Sequence, residues 1–188
     1  MKQTIFAIFC LTVCGAFNAC SQSPDGSNPT DPNAPRLADE LHGSWKADTS
    51  INAFSESVDV TLNMTISTNH TFSETTTGSV PGNPIKGPLS TESGTWVADS
   101  VTNAVVLRPS NCLVAETAQT TLLPGESVNL PFKLSPAGLT ANTLTATPCP
   151  DSVVITNHPV NDTLHLTMAV IIPMQDNSIW TLRFKKQP

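Results

Sequence analysis

The sequence predicts an all-β domain, built as an antiparallel up-and-down barrel of about eight strands or, alternatively, as a β-sandwich. Three observations support this prediction. Short segments of alternating apolar and polar residues recur along the chain, turn residues separate them, and no segment has a convincing helical period. The composition agrees, because 16 of the 188 residues are Pro and only 13% are charged. Such a chain favours strands and turns over helices.

The strongest strand signal covers residues 58–66, where every second residue is apolar: Val58, Val60, Leu62, Met64 and Ile66. This is the period of a half-buried strand. The next three residues, 68–70, predict a tight turn, and residues 71–75 the returning arm of a hairpin. A loop rich in Gly and Pro follows over 78–88. We expect the flexible segment 78–93 to form a rim or lid.

The remaining strands are predicted at residues 94–98, 104–108, 128–134, 152–156, 163–172 and 178–185, with a weaker one at 139–147. Within 128–134 the apolar residues alternate, namely Val128, Leu130, Phe132 and Leu134. Pro131 lies among them and has no amide donor, so this segment is expected to be an edge strand or a bulged one. Residues 37–42 could form one helical turn before Trp45.

The first 19 residues have the pattern of a signal peptide, with Lys2 ahead of a short apolar run. The run is too short to span a bilayer. Residues 17–20, Phe-Asn-Ala-Cys, then resemble the lipobox of bacterial lipoproteins. The resemblance implies that Cys20 is lipidated with fatty acids such as palmitate and becomes the N-terminus. Ser21 after the cysteine resembles lipoproteins sent to the outer membrane. The alternative is secretory cleavage after Ala19, which leaves Cys20 as a plain thiol.

Residues 20–38 are expected to form a disordered tether between this anchor and a β domain of residues 39–188. The segment is rich in Ser, Pro, Asn and Asp and offers almost nothing to bury. A coil of this length would span roughly 25 Å, and a fully extended polyproline chain about 55 Å. The alternative is an ordinary disordered terminus.

The cysteines predict one disulfide bond. Cys10 and Cys14 fall in the signal peptide, which leaves Cys112 and Cys149 as a pair in a chain destined for an oxidising compartment. Neither has a Cys or His neighbour at ligand spacing, which disfavours the alternative of a metal site or redox pair. The bridge would contribute about 4 kcal/mol in the chain-entropy model.

Residues 43–45, Gly-Ser-Trp, resemble the Gly-x-Trp opening of lipocalins and bacterial lipocalin-like lipoproteins. The resemblance implies a lipocalin-like barrel in which Gly43 lets the chain bend into the first strand and Trp45 plugs the closed end. It also implies that an Arg near the chain end lies across the indole, and Arg183 is the candidate. A plain core position for Trp45 is the alternative.

Several chemistries find no support in the sequence. The formal net charge of −6 disfavours nucleic-acid binding, and the chain contains no hydrolase, metalloprotease, P-loop or dinucleotide motif. His158 and His165 could approach one another as copper or zinc ligands, but a surface or loop position explains them more simply. Glu56 and Asp59 fall on opposite faces of a strand, which argues against an acid–base pair there.

The sequence therefore favours a non-enzymatic lipoprotein of the bacterial envelope, without catalytic residues, metal or cofactor. The expected ligand is a small apolar molecule bound at the open end of the barrel. The alternative is an interaction or scaffolding protein that docks on an envelope partner through the edge strand 128–134. An envelope hydrolase is the third and least supported reading.

Overall fold

The computed structural model describes residues 36–53, 56–80, 82–123, 126–171, 173 and 178–188. The predicted signal peptide, Cys20 and the tether up to residue 35 lie outside these residues. The elements are α1 Leu37–Leu41, β1 Gly43–Ala53, β2 Glu56–Ile66, β3 Thr71–Val80, β4 Asn83–Pro84, β5 Ser90–Asp99, β6 Ala104–Ala115, β7 Ala118–Leu123, β8 Glu126–Leu130, β9 Phe132–Ser135, β10 Gly138–Ala141, β11 Leu144–Ala146, β12 Val153–Ile155, β13 Thr163–Val170 and β14 Ser178–Lys186.

The main sheet is antiparallel and curls into a half-barrel. Its eight strands lie in the order β11, β6, β5, β3, β2, β1, β14, β13, while β4 pairs with β3 and β12 with β6. Neighbours in sequence are thus mostly neighbours in the sheet, and the last strand, β14, returns to pair with β1. The prediction of an all-β, antiparallel, barrel-like fold with about eight strands is confirmed. In the part of the chain that the structure describes, no helix is both long and apolar enough to cross a membrane.

Alternation along the strands separates a buried inner face from an exposed outer face. The five apolar residues of β2 predicted to share a face are all buried, with exposures of 5% or less. On the last two strands the buried positions Leu164, Leu166, Leu182 and Phe184 have the same alternation. These side chains belong to one large apolar cluster inside the curled sheet, here called the main cluster.

The helix α1 lies at one end of the half-barrel, which we call the closed end. Its residues Leu37 and Leu41 are fully buried in the main cluster. The helical turn predicted in this region is confirmed by α1. Trp45 is 1% exposed beside the helix, and its indole Nε1 donates a hydrogen bond of 2.8 Å to the carbonyl oxygen of Leu41.

A disulfide bond fastens the segment that runs along β6. The strand β11 pairs with residues 113–115 of β6 and β12 with residues 105–107, and two prolines separate these short strands. Cys149 lies between the prolines and is bonded to Cys112, with 5.3 Å between their Cα atoms. The predicted Cys112–Cys149 bridge is confirmed.

The single strand predicted over residues 128–134 is wrong, because the chain divides at Pro131. Residues up to Leu130 form β8, which pairs with β7, whereas β9 begins at Phe132 and pairs with β10. Pro131 has no amide hydrogen to continue a ladder, which explains the break. Leu134 was expected to share the buried face, but it is 66% exposed. The weaker strand predicted over 139–147 is likewise two short ones, β10 and β11.

A flexible rim or lid was expected over 78–93, but residues 78–80 and 90–93 belong to β3 and β5. Of the residues between them, 82–89 are here called the roof segment. They are instead tied to the sheet and to the β9–β10 hairpin: Leu89 N donates to Thr76 O, and Lys86 exchanges backbone hydrogen bonds with Leu139 and Ala141. Ile85 and Leu89 are buried in a second apolar cluster with Leu130, Phe132 and Leu139. The Pro-rich segment therefore forms a packed cover rather than a free rim.

Candidate functional site

The inner face of the half-barrel carries two carboxyl groups that face each other across neighbouring strands. Glu74 on β3 is the direct antiparallel partner of Glu92 on β5. Both point inward, with residue exposures of 5% and 6%. Side chains in such directly opposed positions have Cβ atoms about 5 Å apart. The register of β3 and β5 therefore makes these residues a buried carboxyl pair.

Two hydroxyl groups extend this site into a polar layer of four residues, Glu74, Thr76, Ser90 and Glu92. Thr76 and Ser90 form the next pair along the same strands and are also buried, at 2% and 3% exposure. The Ser90 hydroxyl donates a 2.7 Å hydrogen bond to the carbonyl oxygen of Ile171. This bond connects the start of β5 with the residue that follows β13.

Apolar groups border the polar layer on several sides. Met64 and Leu62 on β2 are the cross-strand partners of Glu74 and Thr76 and belong to the main cluster. Further along the inner face of β3, Gly78 lies beneath the roof segment. A Cβ atom at this position would approach Leu89 Cδ1 to 2.8 Å. The absence of a side chain thus allows the roof segment to pack closely beyond the polar layer.

The environment of the pair favours protonated carboxyl groups. Burial, and secondly the charge of Glu92, raises the pKa of Glu74 from 4.5 to about 8. Burial also raises the pKa of Glu92 to about 7. Desolvation destabilises the charged form of a carboxyl group, and a second carboxylate nearby destabilises it further. The pair therefore changes its charge around neutral pH.

Glu74 Oε2 is a buried oxygen without a hydrogen-bond partner in the described part of the chain. Among the described residues, one other buried side-chain atom also lacks a hydrogen-bond partner, namely His42 Nε2. His42 lies at the closed end with its ring 5.4 Å from that of Trp96, so it has an aromatic neighbour. Glu74 has no comparable contact. An unpartnered buried carboxyl oxygen is costly and calls for a physical explanation.

Chemically, the pair could act in two ways. Protonated, a carboxyl group donates one hydrogen bond; ionised, it accepts several and attracts a cation. No cluster of three or more His, Cys, Asp or Glu side chains suited to a metal ion occurs among the residues that the structure describes. The hydrogen bonds that the two carboxyl groups can make therefore depend on their protonation state.

Sequence reasoning missed Glu74 and Glu92, although the strands contain a signal for both. Glu74 is two residues from Phe72, and Glu92 is four residues from Trp96, so strict alternation places each carboxylate on the face of a buried aromatic residue. Glu56 and Asp59, by contrast, are only three residues apart in sequence but fall on opposite faces of a strand. Pairing across strands is what brings functional groups together in a sheet.

The residues of the Gly-x-Trp motif occupy the closed end. Gly43 starts β1 with a φ of +122°, a conformation that favours Gly. Trp45 is buried against α1. The expectation that Arg183 lies across its indole is wrong: Arg183 alternates with the buried Leu182 and Phe184 and is exposed. Lys186 lies on the same face of β14 as Leu182 and Phe184. It is the cation near Trp45, with Nζ 5.3 Å from the ring centroid.

The two histidines considered as metal ligands have different surroundings. His158 Nδ1 donates a 2.6 Å hydrogen bond to the Glu40 carboxylate, and its Nε2 lies 3.1 Å from Asn103 Nδ2. His165 is exposed on the outer face of β13, in a groove that it shares with its cross-strand partner Arg183. The two therefore belong to separate local structures.

Comparison with known protein families, curated proteins and solved structures finds no match to this chain. The resemblance to lipoproteins and lipocalins thus rests on the short motifs of the chain itself.

Proposed function

We propose that this protein is a lipid-anchored lipoprotein of the bacterial envelope whose lipocalin-like domain binds a small, largely apolar molecule inside the curled sheet. The observation that supports binding is the polar layer beside the main cluster, and above all the Glu74 oxygen without a partner among the described residues. The proposed role is that of a carrier or sensor rather than an enzyme.

A structural role alone explains the carboxyl pair poorly. Burying a polar group without a partner costs roughly 1–3 kcal/mol, and a pair of apolar residues at these two positions would avoid that cost. Strongly perturbed carboxyl groups in protein interiors are often binding or catalytic groups. A ligand with a polar head and an apolar body would supply the missing partner and contact the adjacent side chains of Leu62 and Met64.

The binding proposal can be tested by displacement of a hydrophobic fluorescent probe. The chain from residue 20 onward with Cys20→Ser contains every described element and lacks the lipid. We expect it to bind the probe and to release it when bacterial lipid extracts are added. Gly78→Val, which forces Leu89 away from its present position, should change probe affinity at least severalfold. A wild-type domain that takes up neither probe nor extract components would end the proposal.

The anchor is tested separately in cells. We expect the full chain to incorporate labelled palmitate and to fractionate with the outer membrane. The variant Cys20→Ala should lose both properties, whereas Cys14→Ala should keep them. If Cys20→Ala still fractionates with membranes while neither form takes up label, the lipid anchor is wrong and only export remains.

A second candidate function is docking on an envelope partner without a small ligand. Leu134 on β9 favours it, because this apolar side chain is 66% exposed next to the exposed Lys133. Crosslinking in cells separates the two proposals. A stoichiometric protein adduct that disappears in Leu134→Ser supports docking, whereas a co-purifying small molecule supports binding.

A further inference from the structure

We infer that the Glu74–Glu92 pair holds the positively charged head of a small organic cation whose apolar body lies against the neighbouring side chains. This inference rests on the proposed small-molecule binding and names the chemical class of the ligand.

The first argument is the charge balance around the pair. None of the Lys and Arg side chains in the part of the chain that the structure describes is buried. Lys186 is partly buried, but it lies at the closed end over Trp45. On the two flanking strands, Met64 of β2 is the cross-strand partner of Glu74, and Cys112 of β6 is the partner of Glu92. Neither can titrate, since Cys112 is in the disulfide bond, so no described side chain next to the pair neutralises it.

The second argument is the unused hydrogen-bonding capacity. Glu74 Oε2 has no hydrogen-bond partner among the described residues. An ionised carboxyl group accepts hydrogen bonds only, so two such groups side by side require donors from elsewhere. An ammonium group carries three donors and a positive charge, and it meets both requirements at once.

The third argument concerns the kind of cation. Calcium takes six to eight oxygen ligands and magnesium retains a shell of water. The polar layer offers two carboxyl groups and two hydroxyls, and Ser90 already uses its proton on Ile171. The surroundings beyond these groups are apolar, with Leu62 and Met64 on one strand and Leu89 over Gly78. A protonated amine on an apolar chain suits this combination better than a hydrated metal ion.

The test uses three ligands of equal chain length: octylamine, octanol and octanoate. Binding to the chain from residue 20 onward, with Cys20→Ser, is measured at pH 7.5 by calorimetry and by displacement of a neutral hydrophobic probe. We expect octylamine to bind at least tenfold more tightly than octanol, and octanoate to bind most weakly. In Glu74→Gln/Glu92→Gln, octylamine should bind no better than octanol. Both substitutions keep the side-chain size and remove the possibility of a negative charge, with an amide NH₂ group in place of one carboxyl oxygen.

A matched control removes two carboxylates elsewhere. Glu116 and Asp151 are exposed, so Glu116→Gln/Asp151→Asn removes at least as much negative charge as the substitutions at the pair. We expect this variant to keep the preference for octylamine. If the control loses the preference as well, attraction by the overall negative charge explains it and the site assignment is wrong.

The remaining outcomes separate this inference from the proposed function. If octanol binds as tightly as octylamine, the cation inference is overturned and small-molecule binding stands. If Ca²⁺ or Na⁺ stabilises the protein and octylamine does not, the site holds a metal ion and the inference is also overturned. If none of the three octyl compounds binds and the probe does not bind either, both the inference and the proposed function fail.

Discussion

The Lys186 ammonium group lies 5.3 Å from the centroid of the Trp45 ring, and it also donates a 2.8 Å hydrogen bond to the carbonyl oxygen of Glu40. One side chain thus connects the end of β14 with the start of β1 and with α1. Gly43 takes part in this arrangement, because a Cβ atom there would lie 3.4 Å from Lys186 Cε. The closed end is therefore fastened by β14, the last strand in sequence.

This contact predicts that Lys186→Met destabilises the domain by about 1–2 kcal/mol. The substitution keeps most of the apolar stem and removes the cation–π attraction and the hydrogen bond, each of which contributes about 1 kcal/mol. Urea unfolding followed by Trp fluorescence measures the change. Arg183→Met is the matched control, since Arg183 is exposed on the outer face, and we expect it to change stability by less than about 0.5 kcal/mol. Equal effects of the two variants would contradict a special role for Lys186.

A second set of hydrogen bonds holds α1 and runs from Asn103 through His158 to Glu40. The Leu37 amide donates to Asn103 Oδ1 at 3.2 Å, which turns Nδ2 of Asn103 towards Nε2 of His158. Nδ2 carries hydrogens, so Nε2 accepts and the proton of His158 is on Nδ1, where it faces the Glu40 carboxylate. The imidazole therefore has one defined tautomer.

We expect Asn103→Gly to loosen α1 and to lower stability by about 1–3 kcal/mol, because two partly buried hydrogen bonds are lost. Gly is the appropriate replacement, since Asn103 has a φ of +49° and another side chain would add strain. Hydrogen exchange at Leu37 and Leu41 and thermal unfolding measure the two effects. Asn161→Gly serves as the control, because Asn161 has the same φ of 49° but is exposed in a turn. Similar losses in both variants would assign the effect to the backbone instead of the hydrogen bonds.

Local sequence patterns predict the parts of this fold that depend on the alternation of apolar residues, on turn residues and on the number of cysteines in the domain. The inward residues of β2, the turn at residues 68–70 and the pairing of the two domain cysteines all follow from such patterns. Alternation also excludes Arg183 from the interior, because its neighbours Leu182 and Phe184 are buried. The resemblance to lipocalins implied that Arg183 is the cation beside the Trp45 ring. Because inward and outward residues alternate along β14, Lys186 takes this place instead.

Other features depend on contacts between distant segments, which no local pattern contains. The roof segment is held by a bridge between Lys86 and Thr140, and its apolar residues are buried by the β9–β10 hairpin. From sequence alone its glycines and prolines indicate a loop. The carboxyl pair also depends on contacts between distant segments, because the register of β3 and β5 brings together residues 18 positions apart.

The disulfide bond should be the largest single contribution to stability among the features considered. It joins Cys112 to a segment that otherwise contacts β6 through two three-residue strands. In the Cys20→Ser background we expect Cys112→Ala/Cys149→Ala to lose about 4 kcal/mol of unfolding free energy, since the unfolded chain gains the freedom of an open loop of 37 residues. Thermal unfolding with and without reductant measures it. Reductant should lower the melting temperature of the parent and leave that of the double variant unchanged; an unaffected parent would contradict the prediction.

The carboxyl pair predicts that the domain becomes less stable as pH rises from about 5 to 8. Unfolded Glu side chains lose their protons near pH 4.5, whereas in the folded protein Glu92 keeps its proton up to a pKa of about 7 and Glu74 up to about 8. In this window the unfolded state binds fewer protons, so each group lowers stability by up to about 1.4 kcal/mol per pH unit until its folded pKa is passed. Chemical unfolding at half-unit steps of pH gives the slope of stability against pH.

Glu74→Gln/Glu92→Gln should flatten this slope and be the more stable protein at pH 8, while Glu116→Gln/Asp151→Asn should retain the parental slope. A saturating amine ligand should reduce the loss at pH 8, because its charge favours the ionised pair. A wild-type curve parallel to that of the Gln variant would show that the two carboxyl groups ionise as freely in the folded protein as in the unfolded chain.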